Sequence, residues 1–247
     1  SPALFGDPLV VNWDHEGPSF VAAFDKRTGD ERWRKERDEP TSWSSPHVVV
    51  HEGKPQVVIS AANRIRSYDL ASGKLLWECG GLSHNVVAGP VSADGMVICA
   101  SSYEKQAILG ITLKGAKGDL TGTDHVAWIK RRDTPYVPSL LLYQGHVYFH
   151  RHYQAVLSCL EAKTGKEVYA RARLTGIRNV YASPVAAQGR IYITSLEGIT
   201  LVFSAGANPE ALSQNVLDDS FSASAALVGK ELILRGDKSL YCITETK

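Results

Sequence analysis

The chain has 247 residues, of which 44% are hydrophobic and 21% charged, with a formal net charge of +1. A chain of that size can bury a substantial core, and a near-neutral balance offers no electrostatic case for a nucleic-acid partner or an anionic membrane surface. No apolar run approaches the roughly 20 residues that span a bilayer as a helix, no signal peptide is visible ahead of Ser1, and "KRRD" at 130–133 reads as a solvated basic cluster.

In chain order, the first unit opens on "SPALFGDPLVV" and closes on "AFDKRTGDERW", residues 23–33; 44 positions on, "SPHVVVHEGKPQVVI" leads to "SYDLASGKLLW", residues 67–77. The third opens on "GPVSADGMVICA" and ends in a longer "AILGITLKGAKGDLTGTDHVAW", whose Gly-rich insertion stretches the middle before Trp128. The fourth runs from "VPSLLLYQGHVYF" to "CLEAKTGKEVY", with Glu161, Gly165 and Tyr169 where earlier copies carry Asp25 or Asp69, Gly29 or Gly73, and Trp33 or Trp77. "SPVAAQGRIYI" begins a fifth whose echo, "VFSAGANPEAL", lacks the tryptophan, and "SAALVGKELIL" begins a sixth. The second residues of these openings, Pro2, Pro46, Pro90, Pro138, Pro184 and Ala225, are spaced 44, 44, 48, 46 and 41 apart. The units fall at roughly 1–43, 44–87, 88–136, 137–181, 182–222 and 223–247, the last incomplete, within a single domain.

Each unit predicts four strands. Two alternating runs rich in β-branched and aromatic residues flank a Gly turn such as Ala187-Gln188-Gly189; a third ends in Asp-x-x-Thr/Ser-Gly, and a fourth ends at the aromatic. Gly at that turn takes positive φ at little cost, and the Asp accepts hydrogen bonds from the turn amides. A terminal Trp can wedge against the next sheet, burying on the order of 150–250 Å². Sheets of this kind repeating every 40–50 residues predict an all-β, antiparallel β-propeller with four-stranded blades, about six of them visible. Sustained helical spacing is absent, so helix is expected to be nearly absent.

The eleven-residue phrase, small residue first, Gly seventh and Trp eleventh, resembles the quinoprotein (PQQ-like) propeller repeat, and the chain as a whole resembles the bacterial PQQ-like repeat proteins grouped with BamB. That resemblance implies a binding or scaffolding role in a periplasmic or secreted setting. It implies as runner-up an enzyme at the channel mouth, either a quinone-dependent dehydrogenase using PQQ with calcium or a carbohydrate-active protein. The dehydrogenases carry a disulfide between adjacent cysteines on the cofactor. Here Cys79, Cys99, Cys159 and Cys242 are never adjacent, which disfavours that activity, and no cofactor is expected. All four lie in or beside predicted strands and read as small buried hydrophobes. The resemblance also implies seven or eight blades, so a fragment of a larger propeller is preferred over a compact six-bladed ring with a three-stranded last blade. Open ends would be covered by missing blades or another chain.

His150 and His152 stand at strand spacing on one face, a weak metal candidate with no third ligand; "NWDHEG" at 12–17 and "RGD" at 235–237 read as turns. The more suggestive residues precede each unit's first strand, where a propeller places the loops around its channel mouth. Trp43, His84, Asn85, Tyr136, Arg178, Asn179, Tyr181, Asp219 and Phe221 are the candidate ligand-binding set, suited to a protein segment or a carbohydrate. No catalytic residue and no metal ligand is assigned.

Overall fold

A computed structural model of the chain describes residues 1–244, which form 24 strands and no helix. The first sheet consists of β1 (Ala3–Leu4), β2 (Pro8–Trp13), β3 (Ser19–Asp25) and β4 (Glu31–Arg37), each hydrogen-bonded to the next. The second repeats it with β5 (His47–His51), β6 (Lys54–Ile59), β7 (Ile65–Asp69) and β8 (Leu75–Cys79). The third uses β9 (Val91–Ala93), β10 (Met96–Ser101), β11 (Ala107–Thr112) and β13 (Val126–Lys130); its Gly-rich insertion supplies β12 (Gly118–Asp119), which pairs parallel to β8 as a fifth strand of the second sheet. These sheets, with Lys163–Gly165, form one compact unit ending at Tyr136.

The second unit holds three sheets. One contains β14 (Leu141–Tyr143), β15 (His146–His150), β16 (Val156–Glu161) and β17 (Glu167–Arg173), and the next β18 (Val185–Ala187), β19 (Arg190–Thr194), β20 (Ile199–Ser204) and β21 (Ala211–Val216). The last has three strands, β22 (Ala226–Val228), β23 (Glu231–Arg235) and β24 (Leu240–Thr244). Because the consecutive strands of each repeat alternate in direction, the loop between second and third strands lies at the same end as the linker entering the sheet. The first hairpin turn and the Asp-Gly turn lie at the other end.

The repeated phrase resolves into four contacts. Its Asp caps the turn: the Asp25 carboxylate accepts from the amides of Arg27 (2.9 Å) and Thr28 (3.2 Å), and the Asp69 carboxylate accepts from the Ser72 amide (2.9 Å) and hydroxyl (2.6 Å). Its Gly closes the turn in the left-handed region, with φ of 77° at Gly29, 68° at Gly73 and 68° at Gly165. Its aromatic lies opposite its own first, small residue, in the pairs Ala23–Trp33, Ser67–Trp77 and Cys159–Tyr169. Gly110 plays that part opposite Trp128, where a Cβ would stand 2.3 Å from the ring.

The fourth contact joins one repeat to the next. A Cβ on Gly73 would come within 2.5 Å of the Trp33 ring, and the Trp33 indole N–H donates to the Leu70 carbonyl at 2.9 Å. Within the same unit, a Cβ on Gly165 would meet the Trp128 ring at 2.5 Å. Trp33 is 8% exposed and Trp77 1%; Trp77 packs among Val97, Cys99, Leu109 and Ile111 of the third sheet while its N–H donates to Gln56 Oε1 at 2.9 Å. The fifth sheet has no such Trp against it, and tyrosines substitute: Gly189 N–H donates to the Tyr143 hydroxyl and Gly206 N–H to the Tyr148 hydroxyl, both at 2.8 Å.

One expectation is corrected. The aromatic does not end the fourth strand; Trp33, Trp77, Trp128 and Tyr169 are each the third residue of theirs. The strand runs on because the residue before each aromatic, Arg32, Leu76, Ala127 or Val168, is the extra residue of a β-bulge. A bulge bends its strand and re-aims the following side chain, here setting the ring across the small residue opposite. The "SP" openings also have a physical reading in the second unit, where the Ser183 and Ser224 hydroxyls accept from the amides of Ser139 (3.0 Å) and Ser183 (2.8 Å), tying successive sheets at their entry.

Gly73 therefore does two jobs where Gly29 does one, since nothing lies within 4 Å of a Cβ built on Gly29. Gly29→Ala should cost about 1–2 kcal/mol for the left-handed backbone alone. Gly73→Ala should cost at least about 1 kcal/mol more, because the ring must also be displaced. Urea unfolding of both variants checks this; equal losses would mean that Trp33 does not rest on the turn.

Candidate functional site

In the first unit the surface at the linker end of the sheets rests on a buried ionic framework. Asp14 follows β2, and Arg37 ends β4; both side chains are fully buried, with Arg37 Nε donating to Asp14 Oδ1 at 2.8 Å and Nη2 to Oδ2 at 3.1 Å. Arg37 Nη1 donates to the Tyr68 hydroxyl (2.6 Å) on β7, and the Ser42 hydroxyl donates to Asp14 Oδ2 (2.5 Å). Burial alone would lower the Arg37 pKa, but the hydrogen bond to Asp14 together with the charges of Tyr68, Asp14 and Glu39 outweighs it and raises it. Beside this pair, Arg66 contacts Glu39 at 2.6 Å, Asp38 at 2.6 Å and Glu78 at 3.0 Å, while Glu39 accepts from the amides of Asn63 (2.7 Å) and Arg64 (3.1 Å). Burial pushes the Glu39 carboxyl above its ordinary range. A cleft of about 600 Å³ opens over Arg66, lined also by Lys35, Asp38, Tyr68, Lys74 and Glu78. Such a framework fixes the connections it joins, since removing either partner of the Asp14–Arg37 pair leaves a buried charge unpaired.

Aromatic rings stand on those fixed connections. Trp43 is 62% exposed, and its backbone N–H donates to the Val86 carbonyl at 2.7 Å, so the linker entering the second sheet is tied to the one entering the third. That third linker carries His84, exposed and 4.0 Å from Glu104, and Asn85, in the left-handed region at φ 51°. Tyr136, half-buried, packs against the exposed Tyr103 of the β10–β11 loop with ring centroids 5.6 Å apart. Trp13, at the end of β2, is 54% exposed and meets His15 edge-on at 5.8 Å. His15 Nδ1 lies 3.1 Å from the Gly17 amide nitrogen and Nε2 lies 3.2 Å from the Pro18 carbonyl oxygen.

The second unit repeats the arrangement. Tyr153, in the loop after β15, packs edge-on against Tyr181 at 5.6 Å, and both are exposed. Arg178 and Asn179 are exposed on the linker entering the fifth sheet, their amides donating to Glu197 at 3.4 and 3.2 Å. Two expected site residues turn inward. Phe221 is fully buried against Tyr241, and the Asp219 carboxylate accepts from the amides of Ser220 (2.8 Å), Lys238 (3.1 Å) and Ser239 (3.2 Å) and from the Tyr241 hydroxyl (3.1 Å). Burial would raise the Asp219 pKa, yet these donors hold it below the ordinary carboxylate range. A linker aromatic beside a satisfied carboxylate has a folding role available, so Asp219 and Phe221 are omitted from the surface proposed below.

The paired histidine face does not form. The strand stops at His150, and His152 follows in the left-handed region (φ 53°), which breaks the alternation the spacing assumed. His150 is fully buried, its Nδ1 3.2 Å from the Gln154 carbonyl and its Nε2 without a partner. Among the described residues no three His, Cys, Asp or Glu side chains converge to hold a metal, and the buried carboxylates Asp14 and Glu39 are committed to guanidinium groups. All four cysteines are free thiols. Cys79, Cys99 and Cys159 are buried, which pushes their pKa values up to about 11, 12 and 12. Cys242, expected to be buried, is exposed because β24 is the outer strand of a three-stranded sheet.

Sequence reasoning placed the linker residues but missed Trp13, at the end of β2, and Tyr103 and Tyr153, in the loops between the second and third strands of their sheets. The signal was present: each sits in a polar stretch, "NWDHEG", "SSYEKQ" or "RHYQ", that reads as an ordinary turn.

Six serial antiparallel sheets with an indole docked on the next repeat's glycine turn define a protein of the β-propeller class, built from PQQ-like repeats. The family model described as outer membrane protein assembly factor BamB matches residues 17–246, and the chain belongs to this family. Among solved structures it is similar to BamB from Moraxella catarrhalis, with 13% identity and a TM-score of 0.68 over 97% of this chain and 70% of that one. It is also similar to the computationally designed Ika8 protein (12%, 0.70, 98% and 70%). A third is quinohemoprotein alcohol dehydrogenase from Comamonas testosteroni (15%, 0.60, 87% and 42%). At these identities the likeness is one of fold. No curated protein matches by sequence. Among the described residues no helix is long and apolar enough to cross a membrane.

Burial holds the His150 pKa down at about 4, against 6.5 for the exposed ring. A lowered histidine pKa contributes stability that is complete above 6.5 and lost as pH falls towards 4, because below 6.5 the unfolded chain binds the proton more readily. Between these values His150 should remove about 3 kcal/mol, and His150→Leu should flatten the stability profile by that amount in urea unfolding at pH 7, 5.5 and 4. Parallel profiles for the two proteins would contradict the assignment.

Proposed function

We propose that the chain is a non-catalytic binding protein that engages a protein partner through the linker-end surface of its sheets, in an extracytoplasmic setting. The observation that carries this reading is the recurrence of solvent-accessible aromatic side chains at equivalent places: the exposed Trp13 and Trp43, the exposed Tyr103 with the half-buried Tyr136, and, in the second unit, the exposed Tyr153 and Tyr181. Exposed large apolar side chains clustered at one end of a sheet mark interaction surfaces more often than chance, and Trp and Tyr dominate binding hot spots. Rings already fixed by a buried framework lose little freedom on binding, which is how preorganisation adds affinity. The ring contacts at these places, Trp13–His15, Tyr103–Tyr136 and Tyr153–Tyr181, are tilted or edge-on, at interplanar angles of 63°, 35° and 74°. Angled rings form notches suited to side chains, whereas a sugar stacks on an open flat face. Family membership supports the extracytoplasmic setting, since the matching family is named for outer-membrane protein assembly.

Photo-crosslinking residues placed at Tyr103, Tyr136, Tyr153 and Tyr181 in the protein's own host should give discrete adducts with another protein, while a control at Lys166, at the opposite turn end, should give none. Adducts of equal yield at the control, or tight stoichiometric binding of PQQ with calcium by the purified chain, would overturn the reading.

A further inference from the structure

We infer that Trp13, Trp43 and Glu16 of the first unit form a receptor for a cationic side chain, an arginine or lysine borne on an extended segment of the partner protein. This rests on the binding role proposed above and names the chemistry that one part of the surface recognises.

The connections that carry the two tryptophans are joined by the buried framework. Ser42, next to Trp43, donates its hydroxyl to the carboxylate of Asp14, next to Trp13, at 2.5 Å, so one buried hydrogen bond ties together the two positions that carry exposed indoles. The exposed Glu16 lies on the same pair of connections: its Oε1 accepts from the Thr41 hydroxyl at 2.7 Å, two residues before Trp43. Two exposed indole faces and a positioned carboxylate are what a guanidinium or ammonium group requires, since the ring face attracts the cation and the carboxylate accepts its N–H donors. The charge balance selects the sign of the ligand. Residues 12–18 and 38–46 carry Asp14, Glu16, Asp38 and Glu39 and no lysine or arginine. The guanidiniums beneath, Arg37 and Arg66, are already engaged with Asp14, Asp38 and Glu39, and among the described residues no lysine or arginine pairs with Glu16. The first sheet itself uses the same recognition internally, with the Arg34 guanidinium 3.9 Å above the Phe20 ring.

The test uses the full chain and a blocked nonapeptide with three arginines, beside its citrulline counterpart, which keeps shape and hydrogen bonding but removes the charge. The arginine peptide should shift the indole N–H resonances of Trp13 and Trp43 and leave that of Trp77 unmoved. It should bind at least about tenfold more tightly than the citrulline peptide, and weaken on raising salt from about 50 to 300 mM, as exposed charge pairing does. Glu16→Gln should lower affinity about threefold, and Trp43→Ala should abolish the difference between the peptides. Tyr153→Ala, in the other unit, should change nothing. Equal affinity for the two peptides, no indole shift with either, or preference for a neutral oligosaccharide would overturn the inference. Crosslinks at the tyrosine loops without arginine binding would remove this receptor while leaving the binding role intact; arginine binding without crosslinks would do the reverse.

Discussion

An indole lying flat on a glycine turn is the contact on which the rest of this structure depends. A single sheet of three or four short strands cannot bury both its faces, so each repeat is stable only against a neighbour. Trp33 on Gly73 meets that need with a large apolar area, a hydrogen bond to the Leu70 carbonyl and a close approach that any side chain at position 73 would block. The rest of the phrase serves this contact. A small residue lies under the ring, a bulge turns the ring outward from its own strand, and an aspartate holds the receiving turn in shape.

This explains why the repeat was legible and also where reading stopped. Gly, Asp and Trp are each required by geometry, so their spacing survives while the strands around them vary. The bulge has no residue signature, because Arg32, Leu76, Ala127 and Val168 share no chemistry. Without it the aromatic was placed at the strand end rather than in its middle. The Gly-rich insertion of the third unit was visible as an insertion, but nothing in "KGDLTG" announces a strand that pairs with a different sheet. His152 misled because alternation holds only while the strand lasts, and Cys242 because burial depends on how many strands follow.

The candidate surface follows from the same construction. Docking at one end of the sheets leaves the linker end to be secured by other means, and in the first unit that is the Asp14–Arg37 pair with its neighbours Glu39, Arg66 and Tyr68. Buried ion pairs of this kind add little net stability, but they hold the chain in one conformation. Conformational definition is what the exposed rings need, because Trp13 and Trp43 contact too little to fix themselves. The linker residues of the candidate set were visible in the sequence from repeat phase alone. Their partners across the second loop were hidden in turns that look unremarkable, and Asp219 and Phe221 share their phase while pointing inward.

The most direct test of the docking account is a double-mutant cycle on Trp33→Ala and Gly73→Ala, measured by equilibrium unfolding. If the indole rests on the glycine, the cost of Gly73→Ala in the Trp33→Ala background falls to that of a plain left-handed alanine, giving a coupling of at least about 1 kcal/mol, well beyond the about 0.5 kcal/mol within which independent sites add. Additive losses would show that the two residues do not meet, and the explanation of the repeated phrase would fail with them.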